Sequence, residues 1–138
     1  MKIERMRQRI NDDWEDTEVF PVAMRVFKEL IEDFEDLKGT PLDISSYCLS
    51  EGYDEAEVDK VVKVFNYFCH PRIAVLRPYY ELYRAGIHEL TADQLYHASQ
   101  DGFLPDPTTG EELYDYKSFV HVSFMMNEEF FAQELEVI

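Results

Sequence analysis

Basic residues are scarce in this chain. Lys and Arg number 13 against 29 Asp and Glu, a formal net charge of -16 over 138 residues. Such an excess repels phosphates, so direct nucleic-acid binding and anionic membrane surfaces are disfavoured. It favours a basic protein partner, or plain solubility. Glycine is scarce too, with 5 in all, which leaves little for a phosphate cradle. No P-loop, GxGxxG or GxSxG occurs. The 2 cysteines, Cys48 and Cys69, lack CxxC spacing, and no HxxxH is present, so zinc is not expected. None of His70, His88, His97 and His121 follows a Glu by three residues, which removes the di-metal helix motif. The stretch from Asp106 to Glu112 lacks the alternating ligands of a calcium loop. Carboxylates abound, but without a cleft none stands out as a general acid. The expectation is a protein with no metal, no cofactor and no enzyme activity.

Long apolar runs are also missing. Nothing approaches the roughly 20 residues of a membrane span. The opening MKIERMRQRINDDW has no apolar h-region, so no secretory signal is visible. Each cysteine falls on an expected helix beside apolar neighbours and reads as a buried reduced thiol, which suits a cytoplasmic protein.

What is present is a core. Hydrophobic residues make up 46% and aromatics 14%, including Phe 10 and Tyr 9, the composition of a globular chain. Most of the rings belong inside, with some at an interface. The length suggests a single domain over residues 1–138, with residues 1–18 as an N-terminal arm or helix.

The stretch Thr40 to Pro71 organises the rest. Thr40 can cap a helix that Pro41 opens and Gly52 stops. Asp54 and Glu57 form a capping box for a second helix, ended by Pro71. Val58, Val61, Val62, Phe65 and Phe68 form its apolar stripe. Two helices around a glycine turn resemble the helix-turn-helix and winged-helix class, in pattern only and over roughly residues 22 to 84. Yet the leading turn of the second helix carries Asp54, Glu55, Glu57 and Asp59, which phosphates would repel.

Before this pair, residues Met1 to Ile10 read as a basic amphipathic helix bearing Lys2, Arg5, Arg7 and Arg9. The sign then flips through Asp12, Asp13, Glu15, Asp16 and Glu18 around Trp14. This segment either packs on its own core or forms a docking arm with Trp14 as anchor. A long helix follows, from Pro21 toward Gly39. Ala23, Val26, Phe27, Leu30, Ile31, Phe34 and Leu37 lie on one face. Glu29, Glu32, Asp33 and Asp36 lie on one flank, which is either solvated or a partner surface.

After Pro71, residues 72–77 read as a strand, and residues 78–86 as either a short helix or a second strand. Thr91 and Gln94 box a helix over Ala92 to Gln100, closed by Gly102. Asp106-Pro107 and Gly110 make a turn. Tyr116 to Met126 is a candidate strand, and the tail from Asn127 reads as an acidic helix with Asn127 as a cap.

The expected fold is α+β: mainly helical, with a helix-turn-helix-like first half and a small antiparallel sheet in the second half. The expected function is a non-enzymatic acidic binding protein that docks a basic protein surface, of the immunity-protein, antitoxin, inhibitor or DNA-mimic type. Its partner-binding residues would be Trp14, Glu29, Glu32, Asp33, Asp36, Asp54, Glu55 and Asp59. The alternative is a transcription regulator or interaction module on a redeployed helix-turn-helix scaffold, with Lys2, Arg5, Arg7 and Arg9 on phosphates. The sequence leaves the oligomeric state open.

Overall fold

The computed structural model describes residues 2–135, with side chains through residue 132. In chain order its elements are α1 (Lys2–Trp14), α2 (Phe20–Glu32), α3 (Phe34–Leu37), α4 (Ile44–Glu51), α5 (Glu55–Phe68), β1 (Leu76–Tyr83) and β2 (Ile87–Leu90). Then come α6 (Ala92–Asp101), β3 (Leu104–Pro105), β4 (Glu112–Leu113), β5 (Val120–Met126) and α7 (Glu128–Leu135). The fold is α+β, mainly helical, with a small three-stranded antiparallel sheet in the second half. The chain divides into two compact units, Met1–Arg77 with Phe124–Ile138, and Pro78–Ser123.

The first unit is a helical bundle. α2 packs on α1 and α5, α4 on α5, and α1 on α7. Each helix turns its apolar stripe inward, so Ile10, Ala23, Val26, Leu30, Val61, Val64, Phe65, Phe68 and Phe131 are fully buried. Most of the unit's phenylalanines serve this core. Phe27 meets Phe68 at 5.9 Å between ring centroids, and Phe34 stacks on Phe131 at 4.9 Å. Each such ring contributes about 1.5–3 kcal/mol by leaving water. The stripe of α5 runs through Val61, Val64, Phe65 and Phe68, while Val58 packs at its edge.

Local signals set most of the helix ends. The Asp54 side chain accepts from the Glu57 N–H while the Glu57 carboxylate accepts from the Asp54 N–H, which is the expected box. Gly52 closes α4 at φ 79, a left-handed value that suits glycine. Two expectations are corrected. The cap of α4 is Asp43, which accepts the Ser46 N–H, and not Thr40. Leu42, just before it, instead exchanges backbone hydrogen bonds with Phe124 as an isolated bridge, and the chain is still extended at Asp43. The long helix of the sequence reading is two helices, α2 and the single turn α3, broken at Asp33 with φ -100 and ψ 14. The break lets Phe34 and Leu37 reach the core at a new angle.

The strand expected from residue 72 begins at Leu76, because Arg72 and Ile73 lie in a turn that closes through Ala74 at φ 50. Residues 78–83, left open above, continue β1 as strand. Pro78 is tolerated because pairing with β2 starts at Tyr80, opposite Leu90. β1 is the middle strand of the order β2-β1-β5. β5 starts at Val120, with a 3-10 turn at Tyr116–Ser118 where strand was expected. Asn127 does not cap α7 through its side-chain oxygen. Its Nδ2 donates to the Ala74 carbonyl at 2.6 Å, and its backbone N–H to Val75 at 3.1 Å.

The second unit has its own small core of Leu82, Leu90, Ala98, Leu104, Leu113 and Tyr116. Thr91 and Gln94 form the expected reciprocal box on α6, and Gly102 closes it at φ 82. In the β3–β4 turn the Asp106 carboxylate accepts the N–H groups of Thr108 and Thr109 and pairs with Arg84 at 3.4 Å. These backbone donors hold its pKa below the ordinary carboxylate value, helped by Arg84.

Candidate functional site

The acidic residues singled out in the sequence do not share one fate. Glu29 sits on the inward shoulder of α2 with its side chain 14% exposed. Its Oε1 accepts the Tyr47 hydroxyl at 2.6 Å and the Tyr53 hydroxyl at 2.7 Å, while its Oε2 faces Arg25 Nε at 3.3 Å. Arg25 lies over the Tyr53 ring at 3.9 Å and donates to the Glu51 carbonyl at 2.6 Å. This knot ties α2 to α4 and to the turn before α5. Burial and the Glu29 carboxylate raise the Tyr47 and Tyr53 pKa values, keeping both hydroxyls protonated as donors. The Glu51 carboxyl is raised as well, first by burial and then by the Glu29 carboxylate. Glu29 is thus committed inside the bundle.

Asp54 is committed too, since its carboxylate holds the cap of α5. Trp14 is half-buried, packs against the core and meets Tyr67 edge-on at 5.3 Å. Next to it the Tyr67 hydroxyl donates to Asp13 at 2.6 Å. Of the two uses open to the N-terminal segment, the structure shows docking on its own unit. α1 carries through Asp12 and Asp13 to Trp14 without stopping at the change of charge sign.

Four other carboxylates remain at the surface. Asp36, Glu55 and Asp59 are exposed and form no ion pair among the described residues. Glu32 is exposed and meets Lys28 at 3.8 Å, with both side chains largely in solvent. Asp33 is half-buried at the break between α2 and α3, where its charge also helps raise the Glu51 pKa. α2 packs on α5, so carboxylates remote in sequence belong to one bundle.

The aromatic rings of this bundle are mostly interior, and among the described residues its large exposed apolar side chain is Leu49 of α4, 85% exposed. The sequence reading passed over Leu49. The signal was there, because α4 has too weak an apolar stripe to bury every Leu and Ile it carries. In the second unit Tyr83 and Ile87 are exposed cross-strand neighbours, and Tyr83 stacks on His121 at 5.6 Å. Tyr96 and Tyr114 are exposed as well. These exposed rings lie in Pro78–Ser123.

Among the described residues, no group of three His, Cys, Asp or Glu side chains is placed to hold a metal ion, and no helix is long and apolar enough to cross a membrane. Cys48 is buried, and burial pushes the Cys69 thiol up to about 12. Comparison with protein-family models, with curated proteins and with solved structures gives no match to this chain.

Proposed function

We propose that this chain is a non-enzymatic, cytoplasmic binding protein that docks a basic protein surface through carboxylates of its helical unit, with Leu49 as an apolar contact. The observation that carries this reading is the set of exposed, unpaired carboxylates at Asp36, Glu55 and Asp59, on a chain of net charge -16. Glu32 joins them, because its exposed pair with Lys28 is worth at most about 1 kcal/mol and is easily exchanged. Glu29, Asp54 and Trp14 leave the contact set and act as supports. The exposed acidic start of α5 disfavours insertion into a DNA groove, since carboxylates beside phosphates repel.

Paired capture from lysate of the native host tests the proposal. One bait is the wild-type chain, and the other carries Glu32→Lys, Asp36→Lys, Glu55→Lys and Asp59→Lys. Basic proteins are expected on the wild-type bait and lost from the reversed one. Nucleic acid on the wild-type bait, or the same proteins on both, would count against it.

A further inference from the structure

The scarce cations of this chain are gathered. Lys2, Arg5 and Arg9 of α1 and Arg72 of the turn before β1 all line one pocket of about 280 Å³ in the helical unit. They are four of the 13 Lys and Arg in the chain. Met6, Ile73 and Phe130 supply apolar wall, and Glu129 is the one acidic lining residue. Glu129 is drawn to Arg77 outside the lining, at 3.6 Å. Arg9 has a loose pair with Asp13 at 3.8 Å. The guanidinium groups of Arg5 and Arg72 form no ion pair among the described residues. On so acidic a surface, carboxylate partners are plentiful. Arg5 and Arg72, set beside Lys2 and Arg9 without taking such partners, raise the local potential in favour of an anion.

Asn127 adds a second, independent sign. It lines the same pocket, is 7% exposed, and leaves its Oδ1 without a hydrogen-bond partner. Its other end is fixed, since Nδ2 holds the Ala74 carbonyl at 2.6 Å. The amide cannot rotate to hide the oxygen without giving up that bond. A buried acceptor left unmet is costly, and it calls for a donor.

We propose that this pocket binds a small organic phosphate monoester whose carbon part carries an O–H or N–H donor. Arginine forks match phosphate oxygens, and a monoester brings about -1.5 to -2 charge near neutral pH to meet the gathered cations. The donor on the ligand can supply what Asn127 lacks. The pocket, of about 280 Å³, has room for one sugar phosphate. This site is separate from the carboxylate surface proposed above and does not depend on it.

Amide NMR titration tests it, with ribose 5-phosphate, methyl phosphate and ribose as probes. Ribose 5-phosphate is expected to shift the signals of residues 72–74 and 127–130 saturably. Methyl phosphate, with the anion but no donor, is expected to bind about ten-fold more weakly, and ribose not detectably. The Arg5→Gln/Arg72→Gln variant should lose at least about ten-fold in affinity. The Lys63→Gln/Lys117→Gln variant removes the same charge from side chains that do not line the pocket, and should stay within roughly two-fold. No saturable shift up to about 10 mM ribose 5-phosphate would overturn the proposal. Equal losses in the two variants would overturn it as well, by showing general attraction and no site.

Discussion

Glu29 shows how far a single residue can depart from its place in a sequence pattern. By spacing it belongs with Glu32, Asp33 and Asp36 on an acidic flank. In the fold it receives two tyrosine hydroxyls on one oxygen and an arginine on the other. Hydrogen bonds to a charged acceptor contribute about 1.5–3 kcal/mol each, and an unsatisfied buried partner costs a similar amount. Glu29→Gln is therefore expected to lower stability by about 1–3 kcal/mol in urea unfolding, while Asp36→Asn changes it by less than about 0.5 kcal/mol. Tyr47→Phe and Tyr53→Phe act on the same oxygen, so the double variant should depart from additivity by at least about 0.5 kcal/mol. Additive, small effects would mean that the knot contributes little. The sequence did not reveal this role, because Tyr47 and Tyr53 lie 18 and 24 residues away from Glu29. Helical periodicity sees one helix, and a carboxylate on the polar flank looks solvated until another helix covers it.

At the scale of elements, local chemistry was readable and longer-range competition was not. The boxes at Asp54 and Thr91 and the glycines 52 and 102 act within a few residues, and they stand where the sequence puts them. Thr40 also had the right chemistry for a cap. It lost the role because Leu42 pairs with Phe124, 82 residues on, and the chain is still extended at Asp43. The same holds for the strand after Pro78. A proline interrupts a strand only where its missing N–H is needed, and β2 starts pairing beyond it. A stability comparison checks the reassigned cap. Asp43→Ala should cost about 1 kcal/mol, and Thr40→Ala less than about 0.5 kcal/mol. The reverse ranking would return the cap to Thr40.

At the scale of the whole molecule, charge is what a partner meets first. The sequence displayed the net charge in full, but not which carboxylates are spent on the fold. Glu29 and Asp54 are spent, and Asp36, Glu55 and Asp59 are not. It displayed the basic start of the chain as well, but not that three of its cations share a pocket wall with Arg72. Surface carboxylates steer encounter more than they hold a complex, so the association rate is the quantity to follow. Each alone counts for about 0.2–1 kcal/mol, which is why four are changed together. The most direct measurement is the association rate with the captured basic partner, as a function of salt, for the wild type and the Glu32, Asp36, Glu55, Asp59 to Lys variant. Glu29 stays in place so that the bundle remains intact. The wild-type rate should fall steeply as salt rises from about 0.05 M toward about 1 M, where the screening length is about 3 Å. The variant should start at least about ten-fold slower and show a flat or inverted salt profile. Equal rates for the two proteins, with no salt dependence in either, would contradict the account and leave these carboxylates as solubilising surface.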